Sequence, residues 1–62
     1  MLTERDFQSL PPEIYGPALK GMTELNHDLM QLAAITCIIL CGIDVARALI
    51  EYMECHAYSG KY

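Results

Sequence analysis

Basic residues are scarce in this sequence. Lysine and arginine supply four of the 62 residues, and Arg5, Lys20, Arg47 and Lys61 are scattered along the chain. Because binding to a phosphate backbone needs clustered cations, we expect no direct contact with nucleic acid. The eight acidic residues, which set the net charge at -4, are equally dispersed, so mimicry of DNA is not expected either.

Motifs for catalysis, cofactor binding or metal ligation are also lacking. Cys37 and Cys41 are four residues apart, but no CxxC pair is present and their apolar surroundings favour buried neutral thiols over metal ligands. His27 stands beside Asp28 without a nucleophile to activate, which is typical of a solvated helix face. We predict no enzyme, no cofactor and no metal; the alternative is a metal carrier or small enzyme built on these cysteine and histidine residues.

A complete disulfide framework and a secretory signal are missing as well. The three cysteines are an odd number, so they cannot all pair within one chain. A signal peptide needs a basic segment followed directly by an apolar one, whereas the first six residues are polar and acidic. We therefore expect the protein in the reducing cytoplasm.

Apolar residues are abundant by contrast. They make up 53% of the chain, and twelve of the fifteen residues from Leu29 to Ile43 are apolar. A chain of this length buries only about 60% of the surface that its unfolded form exposes. The surplus apolar surface predicts association with a partner or with a bilayer.

A helical repeat organises these apolar residues. From residue 17 onward they recur at alternating steps of four and three, a spacing typical of helices that pack lengthwise. Eleven of the twelve repeat positions are apolar, Thr36 being the exception: Ala18, Met22, Leu25, Leu29, Leu32, Thr36, Ile39, Ile43, Ala46, Ile50, Met53 and Ala57. We predict helix from about residue 17, or from residue 23 with Thr23 as the N-cap, to about residue 57.

The first sixteen residues follow a different pattern. Thr3 can cap a short helix by accepting from the amide of Asp6, and Pro11-Pro12 ends that helix. The pair Gly16-Pro17 predicts a second interruption, so residues 1–16 are interpreted as a short helix and a proline-rich arm. Residues 59–62 show no periodicity and are expected to form a flexible tail.

Gly42 leaves two alternatives for the region 17–58. A glycine suits the left-handed residue that ends a helix, and Asp44 suits the N-cap of the next one, which together favour a helical hairpin. The polar stripes before and after Gly42 also lie on faces about half a turn apart. The other alternative is one continuous helix whose opposite sides are covered by different neighbours.

These features predict an all-α fold in which two main helices and a short N-terminal helix form a homodimeric bundle. In size and shape it resembles the helical-hairpin dimers of plasmid-control and temperate-bacteriophage accessory proteins. The resemblance implies binding and modulation of another protein, such as a host regulator, by a phage or mobile-element protein. The predicted dimer core comprises Leu25, Leu29, Leu32, Ile35, Ile39, Val45, Leu49 and Met53.

Two further expectations concern the outer surface. Arg47, Glu51, Tyr52 and Tyr58 form a candidate surface for a second protein, because charged stripes and tyrosines are frequent in recognition sites. Tyr52 could equally pack the N-terminal arm onto the helices. The alternative function is a small single-span membrane protein using residues 29–50, although that length places Asp44 and Arg47 inside the bilayer.

Overall fold

The computed structural model describes the backbone of residues 2–59 and the side chains of residues 2–57. Over this range the chain is all-helical, which confirms the predicted all-α class, with four helices and no strand. The predicted number of main helices was wrong, because three long helices, not two, follow the short N-terminal one. The four helices are α1 (Glu4–Gln8), α2 (Pro12–Glu24), α3 (His27–Cys41) and α4 (Ile43–Ser59). The predicted flexible tail comprised residues 59–62. Ser59 is instead the last residue of α4, and residues 60–62 lie outside the described part.

α1 begins with the cap that the sequence predicts. The amide of Asp6 donates to the hydroxyl of Thr3 at 3.1 Å, and the amide of Thr3 donates back to the Asp6 carboxylate at 3.3 Å. This reciprocal capping box satisfies two amides that lack partners within the helix. α2 then begins at Pro12, because the fixed φ of proline suits the first helical position.

The predicted interruption at Gly16-Pro17 does not occur. α2 instead continues through both residues, with Pro17 inside the helix. A proline ring normally clashes with the Cβ of the preceding residue in the α conformation, and Gly16 has no Cβ. The proline-rich arm is therefore the first part of α2 rather than a separate segment.

The helix expected from residue 17 or 23 is broken at a place that the sequence analysis did not identify. α2 ends at Glu24, and its C-cap residue, Leu25, adopts the left-handed conformation with φ 53° and ψ 40°. The side chain of Asn26 caps α3 by accepting from two amides of its first turn, at 3.1 and 3.2 Å. Thr23, the predicted N-cap, lies instead within the last turn of α2.

Of the two alternatives at Gly42, the structure shows two helices separated at this residue rather than one continuous helix. Gly42 adopts a φ of +100°, and its amide donates to the carbonyls of Cys37 and Ile38, both at 3.1 Å. α4 begins immediately afterwards at Ile43. Asp44, the predicted N-cap, therefore lies within the first turn of α4, where its charge still favours the positive end of the helix dipole.

α3 lies between α2 and α4 and packs against both, while α2 and α4 meet over a smaller area. At the crossing of α2 and α3 the helices approach closely: a Cβ built on Gly21 would lie 2.7 Å from Cγ of Met30. Small residues on the inner faces allow this approach. The buried core consists of Phe7, Ile14, Ala18, Met30, Ala33, Ala34, Cys37, Ala46, Leu49, Met53 and Ala57.

Candidate interaction surface

α3 carries its small side chains inward and most of its large ones outward. Ala33, Ala34 and Cys37 are buried against the other helices. On the outer side, Ile39 is 75% exposed, and Ile43, just beyond Gly42, is 62% exposed. We call this outer surface the α3 stripe, and it consists of Leu32, Ile35, Ile38, Ile39, Leu40 and Ile43, all of them exposed.

The α3 stripe is a row of aliphatic side chains without a charge. At 100° per residue, Leu32, Ile35 and Ile39 fall within about 60° of one another around α3. No charged residue occurs between Asp28 and Asp44 in the sequence. An exposed and contiguous apolar surface of this kind is typical of a site that is covered by another molecule.

The predicted dimer-core residues occupy three different environments. Leu49 and Met53 are buried within the single chain, while Leu25, Leu29 and Val45 are half-buried and Leu32, Ile35 and Ile39 are exposed. The prediction also missed three exposed members of the α3 stripe: Ile38, Leu40 and Ile43. Ile38 and Leu40 lie off the heptad repeat, whereas Ile43 belongs to the repeat but was left out of the predicted core.

The predicted partner surface is divided in a similar way. Arg47 and Glu51 are exposed on α4, whereas Tyr52 is half-buried. The side chain of Tyr58 lies outside the described residues. Glu51 and Tyr52 line a shallow recess of about 100 Å³, which also includes Leu2, near the chain start, and Cys55.

Tyr52 packs the N-terminal helix onto α4, which was the second interpretation of this residue. Its ring stacks on Phe7 with centroids 4.8 Å apart, and on His56 with centroids 4.0 Å apart. Phe7 also contacts the ring of Tyr15 at 5.0 Å. The pKa of the Tyr52 phenol is raised, mainly by burial and to a lesser extent by the nearby Glu4 carboxylate, so this ring is neutral in the cluster.

The three cysteines are free thiols in different surroundings. Cys37 is buried, whereas Cys41 and Cys55 are exposed. The pKa of the Cys37 thiol is raised from 9.0 to about 11, mainly by burial and to a lesser extent by the adjacent Cys41. Among residues 2–59, no three histidine, cysteine or carboxylate side chains come together as a metal site.

A groove lies between α3 and α4. It has a volume of about 270 Å³, and its floor contains the buried side chains of Met30, Ala34 and Met53. Ile50 forms part of its wall, and Glu54 lies exposed at its edge. His27 and Gln31 complete the lining from the α3 side. We call this feature the α3–α4 groove.

Comparison with protein-family models, curated proteins and solved structures gives no match for this chain. The case for a function therefore depends on the surface described above. Residues 29–50, the segment considered for a membrane span, are divided between α3 and α4 at Gly42. Within the described residues, no helix combines the length and apolar character needed to cross a bilayer.

Proposed function

We propose that this protein is a non-enzymatic homodimer, paired through the α3 stripe, that binds and modulates another protein. One observation carries the proposal: five large aliphatic side chains of α3 face outward, while two alanines, a cysteine and Met30 fill the inner side. A helix that served only its own chain would bury its largest apolar residues.

Tighter folding cannot hide the α3 stripe. The accessible surface of the chain is 4250 Å², close to the roughly 4,000 Å² expected for a compact monomer of this mass. The inner side of α3 is already covered by α2 and α4. A surface that remains apolar in so compact a chain supports association with a second molecule.

A second copy of the chain fits the α3 stripe. Because the stripe carries no charge, two copies can meet across a twofold axis without like charges facing each other. Within α3, Leu32, Ile35 and Ile39 follow the three-and-four spacing that lets helices interdigitate along their length. α3 is about 22 Å long, which provides several turns for such a contact.

A bilayer surface fits the α3 stripe less well. Helices that lie on membranes usually carry lysine or arginine beside the apolar face, where these residues meet anionic lipid headgroups. α3 contains neither residue. The charge pattern therefore favours a protein surface over a lipid one.

Pairing through the α3 stripe leaves the outer surface of α4 for a second protein. Arg47 and Glu51 are exposed there. Binding at such a surface needs no catalytic group, so the proposed role is to cover or reshape a partner. The three free thiols suit a reducing cytoplasm. We further propose that the protein comes from a phage or mobile element and that its partner is a regulator of the host.

Sedimentation equilibrium tests the homodimer. The wild-type protein should sediment at twice the chain mass of 7.0 kDa. Ile39→Asp should weaken pairing by roughly a hundredfold or more, because the dimer would bury two unpaired carboxylates. Since Ile39 is exposed in the single chain, the helical circular dichroism of this variant should match the wild type.

Leu19→Asp is the matched control. Leu19 is also an exposed aliphatic residue, 42% accessible, but it lies on α2 outside the α3 stripe. The same substitution there should leave the dimer intact. A monomeric wild-type protein, or equal dissociation by both substitutions, would refute pairing through the stripe. Co-sedimentation of the wild type with vesicles of anionic lipid, lost in Ile39→Asp, would assign the stripe to a membrane instead.

A further inference from the structure

The α3–α4 groove is a second apolar feature, and it is separate from the α3 stripe. At 100° per residue, Met30 and Ala34 lie on nearly the opposite side of α3 from Leu32 and Ile39. Pairing through the stripe therefore leaves the groove accessible. The groove is formed by the first half of α3 and the second half of α4.

The size of the groove favours one side chain over a metabolite. Its volume of about 270 Å³ is below the range of roughly 300–1,000 Å³ that is typical of small-molecule sites. Two buried methionines, Met30 and Met53, contribute to its floor. Because thioether side chains are flexible and polarisable, such a floor adapts to the shape of an inserted leucine or phenylalanine.

The charge at the edge of the groove indicates the character of its occupant. Glu54 lines the groove and is exposed, and Glu51, which is also exposed, lies one turn earlier on α4. The nearest arginine or lysine on the described part of α4 is Arg47, two turns from Glu54 and about 10 Å along the helix axis. A cation on the partner would complement this acidic edge.

We infer that the α3–α4 groove binds a basic amphipathic helix of another protein. One large apolar side chain of that helix enters the groove above Met30 and Met53, and a lysine or arginine about one turn away meets Glu54. This is the helix-in-groove mode of recognition, in which apolar anchors provide affinity and edge charges select the partner. The inference rests on the proposed function, because it names the kind of protein that is bound.

Methyl NMR with two synthetic peptides tests this inference. The probes are an amphipathic helical peptide of leucine and lysine and its counterpart of leucine and glutamate. On adding the lysine peptide, the methyl resonances of Met30 and Met53 should shift, while that of Met22 on α2 should not. The glutamate peptide should cause no shift at either position.

Charge variants provide the matched control. Glu54→Lys should weaken binding of the lysine peptide by about five- to tenfold, because an exposed attraction becomes a repulsion. Glu13→Lys makes the same change on the first turn of α2 and should bind like the wild type. Unshifted Met30 and Met53 methyls at saturating peptide, or equal weakening by both variants, would overturn the inference.

A third variant separates this inference from the proposed homodimer. Ile39→Asp should bind the lysine peptide with the wild-type affinity, because the groove lies on the opposite side of α3 from Ile39. If the wild type is a dimer but its methionine methyls do not shift, peptide binding in the groove is rejected and the homodimer is retained. If the wild type is a monomer but still binds the peptide, the homodimer is rejected and peptide binding in the groove is retained.

Discussion

The ring of Phe7 in α1 stacks on the ring of Tyr52 in α4, with centroids 4.8 Å apart and planes 23° from parallel. α1 has only five residues, too few to be stable alone in water. Phe7 is its one buried residue, and it also contacts Tyr15 of α2. The aromatic contacts of this single residue therefore attach α1 to two other helices.

Phe7→Leu should lower the free energy of unfolding by about 1–3 kcal/mol. The substitution keeps an apolar side chain of moderate size but removes two aromatic contacts, each of which contributes about 0.5–1.5 kcal/mol beyond simple burial. Urea denaturation followed by circular dichroism measures the change. Gln8→Ala, at an exposed position of the same helix, should shift the unfolding free energy by less than about 0.5 kcal/mol. Equal midpoints for wild type and Phe7→Leu would contradict the assigned role.

The sequence predicts the beginnings and ends of helices where the chemistry is local. The cap at Thr3 depends on one hydroxyl and one amide three residues apart, and the break at Gly42 depends on a positive φ that glycine adopts easily. The end of α2 could not be predicted in this way, because Leu25 is a poor residue for the left-handed conformation. Asn26 was the available signal, since asparagine is a strong N-cap.

The candidate surface was harder to predict than the helices. Beyond Gln31, α3 is apolar at every position except Thr36, so its sequence does not indicate which face meets its own chain and which meets a partner. That choice depends on α2, whose start at Pro12 was missed because Gly16-Pro17 was expected to interrupt the helix. Without α2 in place, the predicted dimer core combined Leu49, which is buried in the single chain, with Ile39, which is exposed.

Gly42→Ala should lower the free energy of unfolding by about 1–3 kcal/mol. Nothing lies within 4 Å of a Cβ built at this position, so the cost comes from the backbone alone. Gly42 combines φ +100° with ψ 166°, a region that is essentially restricted to glycine. Chemical denaturation of the variant measures the loss.

Gly42→Asn distinguishes this conformation from the ordinary left-handed one. Asparagine tolerates the left-handed helical region, where ψ is about +45°, but gains no such advantage at the ψ of Gly42. The asparagine variant should therefore be about as unstable as the alanine variant. Recovery of most of the wild-type stability by asparagine would show that the turn adopts the left-handed helical conformation instead.

Cys37 should make the stability of the protein depend on pH above 9.0. Its folded pKa of about 11 lies above the ordinary value of 9.0, so the unfolded chain loses the thiol proton first as the pH rises. The stability that Cys37 contributes is complete below pH 9.0 and is lost as the pH rises toward about 11. Denaturation in the presence of reductant, on both sides of pH 9.0, measures the loss.

Cys37→Ala is the reference for that measurement, because it removes the thiol while its packing defect is the same at every pH. Between pH 9.0 and about 11 the wild type should lose more stability than this variant. Iodoacetamide provides a second readout, since the native protein should react at the exposed Cys41 and Cys55 and not at Cys37. Parallel pH profiles for the two proteins, together with rapid labelling of Cys37, would contradict the buried neutral thiol.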